Sequence, residues 1–302
     1  MTIRNLGAYL QERFAPVNMG LFVVLFGTVR GVATLASPAA RGTPAATGPA
    51  LAVLGALATV SFFFRLRVFD EEKDFAQDAL THPQRVLQTG RVTLPQLRAL
   101  AWAGALLELG WSAAQGPTTL LLWATALGYS LLMRAEFGVG GWLRQRLVAY
   151  ALSHMLIMPL VIVWLFSAYA PVRAAAHLPL LVLLSLLGGF GFELARKLHA
   201  PAGERADVDS YSRALGYGPA LSLTVAVLLA GGAVQALLLH GLHARWLTYA
   251  VLWGLLAAGL ARYSTAARRP REAHLRQAEK IVSLVLLTSY LAVLAEVYGL
   301  GR

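Results

Sequence analysis

Five carboxylates crowd a nine-residue stretch: Asp70, Glu71, Glu72, Asp74 and Asp78, within FRLRVFDEEKDFAQDALTHPQRVLQTG beginning at Phe64. Read as a helix, Asp70, Asp74 and Asp78 fall at i, i+4 and i+8, stacked on one face. Glu71 lies at the edge of that face, three residues before Asp74. Like charges stacked this way repel, so the arrangement needs a reason. A hard divalent cation supplies one, because Mg²⁺ takes oxygen ligands and commonly bridges carboxylates to phosphates. A solvated acidic helix end at a membrane surface would show the same spacing.

A second polar stretch, GFELARKLHAPAGERADVDSYSRALGYG, begins at Gly191. Glu193 ends an apolar run, as Asp70 does. Arg196 and Lys197 follow it by three and four residues, and Glu204, Asp207 and Asp209 come later. Cations of this kind bind phosphate, Arg in bidentate fashion. They are equally the cations that anchor a membrane protein on its cytoplasmic side.

The elements that must position these groups are membrane spans. The 302 residues are 57% hydrophobic and 14% charged, too apolar for an ordinary soluble domain. Apolar runs of about 20 residues recur, each long enough to cross roughly 30 Å of hydrocarbon. Runs of that length imply helices rather than barrel strands. The reading is an all-α polytopic membrane protein of nine spans around a central cavity. The spans lie near 19–36, 49–69, 97–115, 117–133, 147–169, 177–192, 218–239, 246–263 and 281–300. Residues 1–18 read as an amphipathic lead-in and 37–48 as a turn region. Gly116 and Pro117 mark a tight turn, and Pro159 predicts a kink in the fifth span. The N-terminus lacks a signal-peptide pattern. Without cysteine there is no disulfide or thiolate chemistry.

Charge sets the orientation. Of the 26 Lys and Arg, 21 fall on the side of the N-terminal segment and of the loops after spans two, four, six and eight. The positive-inside rule then puts the N-terminus in the cytoplasm and the C-terminus outside, in what is expected to be a bacterial inner membrane. Both acidic stretches follow the second span of a four-span half, about 19–133 and 147–263. A single domain of two facing halves plus a final helix at 281–300 would place them across one cavity.

On these residues the chain resembles the UbiA-type intramembrane prenyltransferase superfamily. The family's Asn/Asp-Asp-x-x-Asp-x-x-x-Asp stands here as Asp70-Glu71-x-x-Asp74-x-x-x-Asp78. Its Arg-Pro-Leu-x-x-Gly-like segment corresponds to His82-Pro83-Gln84-Arg85-Val86-Leu87-Gln88-Thr89-Gly90. Two departures stand out. Glu71 replaces an Asp, and the second motif keeps only Glu193, with Arg196 and Lys197 where further Asp would be expected. The resemblance implies an all-helical bundle in which two acidic motifs hold Mg²⁺ and the diphosphate of an isoprenyl donor. It implies transfer of the isoprenyl group to a small or lipophilic acceptor, such as an aromatic ring. Asp70, Glu71, Asp74, Asp78 and Glu193 would be the catalytic metal ligands. Arg85, Arg196 and Lys197 would bind the diphosphate. A transporter or lipid-binding protein on the same scaffold, and a UbiA-type terpene cyclase, are the competing readings. Membrane lipids are expected partners and nucleic acid is not; the basic run 266–280 suits anionic headgroups.

Other residues carry both a functional and a plainer reading. Glu108 and Glu296 are intramembrane carboxylates or interfacial ones. Glu136 reads as a salt-bridge partner at the cavity rim, and His154 as a packed histidine. Arg65 and Arg67 would pair with the acidic motif, reach a diphosphate, or snorkel. Ser210 would cap a short helix closed by Gly216, carrying Tyr211 and Ser212. Trp102, Trp111, Trp123, Trp142 and Trp246 read as an interfacial belt.

Overall fold

The computed structural model describes residues 2–36, 48–174, 176–205 and 209–299. Among them there are helices and turns and no strand. The 37–48 turn region falls almost wholly outside the described residues, as does Asp207.

The chain opens with α1 (Ile3–Arg13), where Thr2 accepts a hydrogen bond from Asn5 N at 3.2 Å and so caps the helix. Then come α2 (Pro16–Ala36), α3 (Pro49–Thr81), α4 (Leu94–Gln115) and α5 (Pro117–Arg134). Gly116 takes φ +116 between α4 and α5, a conformation open to glycine. A short α6 (Gly140–Arg144) leads to α7 (Leu147–Met155) and α8 (Ile157–Ser167). These two are one predicted span broken at Leu156. Pro159 removes a donor and crowds the carbonyl four residues back, that of Met155, so the kink arises there. The remainder is α9 (Leu178–Arg196), α10 (Tyr211–Leu215), α11 (Tyr217–Gly241), α12 (Trp246–Arg268) and α13 (Glu272–Tyr298). Ser210 caps α10 by accepting from Arg213 N at 3.1 Å.

Six of these stretches are long and apolar enough to span a bilayer: α2, α3, the α7–α8 pair, α9, α11 and α13. The protein is therefore an integral membrane protein. The other three expected spans, α4, α5 and α12, are helices of sufficient length but fall short on apolarity; nine crossings do not follow from composition alone. In α4 the reason is visible. Glu108 is fully buried against Arg65 of α3 at 2.6 Å, and it also accepts from Ser61 Oγ at 3.0 Å and from Trp123 Nε1 of α5 at 2.9 Å. Glu108 is thus an interior tie between three helices. Gly104 lets α4 approach α3, because a Cβ there would overlap Ser61 Oγ.

Successive helices pack side by side, and α13 returns against α2, closing the ring. Thr28 Oγ1 of α2 donates to the Tyr290 carbonyl of α13 at 3.1 Å. Trp111 and Trp123 are buried between helices and are not belt residues; Trp102, Trp142 and Trp246 are exposed. Trp111 donates its indole N–H to the Leu51 carbonyl, so it works as a helix-packing residue. Glu296 ties α13 to the Arg245 end of α12 at 3.3 Å.

The acidic stretch does not lie in a loop. It forms the last turns of α3, whose 33 residues run for about 50 Å, well beyond a bilayer's roughly 30 Å of hydrocarbon. The chemistry-bearing carboxylates therefore stand on a rigid extension of a membrane span.

Candidate active site

Between α3, α5, α7–α8, α9 and α13 lies a cavity of about 570 Å³. Its mouth is charged, with Arg67, Asp70 and Lys73 from α3, Arg134 from α5, and Glu193 and Arg196 from α9. Its interior is apolar, with Leu66, Phe69, Met133, Ile157, Met158 and Leu286 among the walls. Lys73 also borders a smaller polar space of about 320 Å³, with Asp74, Glu136, Arg144, Tyr150, Lys197 and Asp209.

The five carboxylates of α3 divide into two sets. Asp70 and Asp74 face these spaces. Among the described residues neither carries an ion pair. The other three are held by arginines. Arg13 of α1 lies 2.6 Å from Glu71 and 3.4 Å from Asp78. Arg67 lies 2.7 Å from Glu71, and Arg85 closes on Asp78. Glu72 pairs with Arg98 and, at 2.7 Å, with Arg134.

Helix geometry explains the split. At 3.6 residues per turn, eight residues carry Asp78 about 80° around from Asp70, close to the roughly 100° of Glu71. The i, i+4, i+8 stack drifts out of the cavity by its third member. This corrects the expectation that Asp70, Asp74 and Asp78 share one face and hold a metal together with Glu71 at its edge. Glu71, 1% exposed, and Asp78 meet α1 and the 82–93 connection. There Glu12 accepts from Val86 N at 3.0 Å, and Asn5 Nδ2 donates to the Arg91 carbonyl at 3.0 Å. Tyr9 of α1 is buried in the same place. Burial first, and the Glu71 carboxylate second, push its phenol above the ordinary range, so it stays neutral.

Glu193 comes to the mouth as expected. It is not free: Arg196 lies 2.7 Å and Lys197 2.9 Å from its oxygens. Arg85 does not line the cavity. Arg65 is turned away onto Glu108, while Arg67 both lines the mouth and pairs with Glu71. Glu136 pairs with Arg144 at 2.9 Å and stands 3.6 Å from Lys73, in place of pairing with its neighbour Arg134. It takes φ +47, and Phe137 φ +55. Such residues cost of order 1–3 kcal/mol each and persist only where surroundings over-determine them. The ion pairs of Glu136, and the packing of the Phe137 ring on Tyr129 and His154, do so here. His154 stacks on Tyr150 with ring centres 4.1 Å apart and holds the Tyr150 carbonyl through Nδ1 at 2.9 Å, a packing role.

Sequence reasoning missed Lys73 and Arg134. Lys73 donates to the Tyr150 hydroxyl at 2.6 Å. It lies one turn after Asp70 on the same face, a spacing that could have found it. Arg134 offered no comparable local signal, because only the tertiary ring brings the end of α5 to α3.

Mg²⁺ can be weighed against this donor set. Among the described residues, no three His, Cys, Asp or Glu side chains gather closely enough to hold a metal between them. Mg²⁺ does not need that: one or two carboxylates with substrate phosphates and waters suffice. Asp70 and Asp74, unpaired and one turn apart, fit one such ion. Glu193, engaged by two cations, does not fit a second.

No family model matches the sequence, and no curated protein does. Solved structures do. A structure of a digeranylgeranylglyceryl phosphate synthase in membranes superposes with a TM-score of 0.68 at 15% identity, over 99% of this chain and 100% of that one. This chain has the UbiA fold. The apo UbiA homologue from Aeropyrum pernix K1 matches with a TM-score of 0.64 at 17% identity, over 89% and 96% of the two chains. A UbiA homologue from Archaeoglobus fulgidus, bound to GPP and Mg²⁺, matches at 0.55 and 16%, over 95% and 99%. The expected all-helical UbiA-like architecture stands on these superpositions.

Proposed function

We propose that the chain is a divergent UbiA-superfamily enzyme that binds a polyprenyl diphosphate and transfers its isoprenyl group to a lipophilic acceptor, aromatic in the simplest case. The carrying observation is the polarity of one cavity, in which Asp70 and a set of cations sit over an apolar interior, with Asp74 one turn on in the polar space that adjoins it at Lys73. That pattern suits a ligand with a polyanionic head and a hydrocarbon tail. The fold supports the reading, since a UbiA homologue of the same fold was solved with GPP and Mg²⁺.

Asp70 and Asp74 would hold one Mg²⁺ against phosphate oxygens; bound there, the ion withdraws charge from the leaving diphosphate. Arg196, Lys73 and Arg134 would bind the remaining phosphate charge, Arg in bidentate fashion. Lys197, at the second space, would add to that field. Glu71 and Asp78 would act from behind, through the arginines that fix the end of α3, and Arg85 would be one of those arginines. Glu193 would orient Arg196 and Lys197. In the transfer, the C1–O bond of the donor breaks with its electron pair passing to diphosphate. The acceptor forms its bond to C1 and gives up a proton. Preplaced cations in a low-dielectric site stabilise the charge that develops on the leaving group. The orientation of this reading keeps the mouth cytoplasmic, with the N-terminus inside, in a bacterial inner membrane.

The excess of cations over free carboxylates favours one second reading, in which the cavity binds or moves an anionic lipid without transfer. Thermal-shift titration with geranylgeranyl diphosphate, with and without Mg²⁺, followed by product analysis with candidate acceptors, separates the two. A ligand at one hundred times its Kd stabilises by about 2.7 kcal/mol. Stabilisation together with prenylated product supports the enzyme. Stabilisation with intact donor under every condition supports the binder. No stabilisation by donors of any length removes the enzyme and leaves the binder of another anionic lipid.

A further inference from the structure

A second, apolar pocket lies behind the first, among α9, α11, α12 and α13, with about 50 Å³ of free space. No charged residue lines it; beside Gln235 and Ser289, only the aromatic rings of Tyr249 and Trp253 bring polar atoms to its walls. Leu286 of α13 borders both this pocket and the large cavity. Opposite it on α9 stands Gly188, where a Cβ would lie 2.8 Å from Leu286 Cδ1. Across the pocket a Cβ on Gly232 would lie 2.7 Å from Leu256 Cδ2. Each glycine thus leaves room for a leucine side chain that a Cβ would crowd, and Leu286 is the residue that lines both spaces. Along α9, Ser185 and Gly189 face the cavity while Leu184, Leu187 and Gly188 face the pocket, so the two spaces lie on opposite sides of one helix.

We infer that Leu286 limits the length of the hydrocarbon chain this protein accepts, and that the pocket behind it would receive the end of a longer chain. The inference rests on the prenyl-diphosphate reading above and adds a residue that sets specificity. The direction is given by depth. Gly188, opposite Leu286, lies five residues, about 7.5 Å, further along α9 than Glu193 at the charged mouth, and the cavity continues to Ser185, about 12 Å along. A tail whose diphosphate sits at that mouth therefore runs down toward Leu286. The occupant is hydrocarbon because the pocket lining is almost wholly aliphatic and aromatic. Gln235, 4% exposed, spends its Nε2 on the Ser289 carbonyl at 3.3 Å.

The test is a thermal-shift series on the full chain in detergent with geranyl, farnesyl and geranylgeranyl diphosphate and one longer donor. Leu286→Ala should move the preferred donor to greater length, changing the ratio of apparent affinities for long over short donors by roughly tenfold, the scale of a hydrophobic pocket's discrimination. Leu286→Phe should move it the other way and weaken the longest donor the parent protein accepts. Adding Gly232→Ala to Leu286→Ala fills the pocket from the far side and should remove the gain. If one Leu286 variant fails to fold, the other still makes the measurement, since the two expectations have opposite sign. Donors that bind the parent protein with the same length ranking in the variants would overturn the inference and leave the prenyl-diphosphate reading intact. Donors that bind none of the proteins would remove that reading and the inference with it.

Discussion

Asp70 and Glu71 are adjacent in sequence and have opposite fates. Asp70 opens onto the cavity and carries no ion pair among the described residues, whereas Glu71 is buried against Arg13 and Arg67. Substitutions should separate along the same line. Asp74→Ala should abolish turnover and Mg²⁺-dependent donor binding, and leave the ligand-free melting temperature close to that of the parent. Glu71→Gln should do the reverse. It leaves Arg13 and Arg67 short of a counter-charge, and hydrogen bonds to charged groups contribute roughly 1.5–3 kcal/mol each. Both arginines reach solvent in part, so a loss of about 2 kcal/mol is expected, read as a lower melting temperature with donor binding largely kept. A Glu71→Gln protein as stable as the parent but unable to bind Mg²⁺ would restore Glu71 as a ligand. The acidic cluster was plain in the sequence. Which acids face the cavity was not, because that depends on α1 reaching back with Arg13 from nearly sixty residues away.

At the scale of elements, the sequence resolved more. The lead-in helix, the glycine turn before α5, the kink ahead of Pro159 and the Ser210 cap are all local events, set by residues within a few positions of one another. The division of labour among tryptophans was not legible, because Trp111 and Trp102 look alike until α4 is placed against its neighbours. The same holds for Glu108, whose partner Arg65 is 43 residues distant. That pair joins α3 and α4 at zero side-chain exposure. Removing one member strands the other charge in a low-dielectric interior, which costs about 3–5 kcal/mol. Glu108→Ala should therefore lower the melting temperature in detergent markedly, and Arg65→Met in the same background should recover part of the loss by removing the stranded cation. A double variant no more stable than Glu108→Ala would mean that Arg65 finds another partner. The packing that brings α4 so near α3 also depends on Gly104, so Gly104→Val should produce a similar loss without touching a charge.

For the molecule as a whole, the side of the membrane on which the cavity opens is a proposal that rests on charge. Of the 26 Lys and Arg, 21 fall on the side of the N-terminal segment and of the connections after α3, α5, α9 and α12, and the charged mouth, with Arg67, Lys73, Arg134 and Arg196, opens on that side. Short basic loops are retained in the cytoplasm, so the donor would enter from inside the cell. The absence of cysteine makes this directly measurable, since any introduced thiol is the sole one. Thr81→Cys sits exposed at the end of α3, and Thr118→Cys sits exposed at the opposite end of the bundle beside the Gly116 turn. A membrane-impermeant maleimide should label Thr118→Cys in intact right-side-out vesicles and Thr81→Cys only after inversion or permeabilisation. The opposite pattern would turn the protein over, placing Asp70, Asp74 and the arginines of the mouth outside. A cytoplasmic prenyl diphosphate would then have no direct route to them, and an anionic lipid from the outer leaflet would become the better ligand for the same cavity.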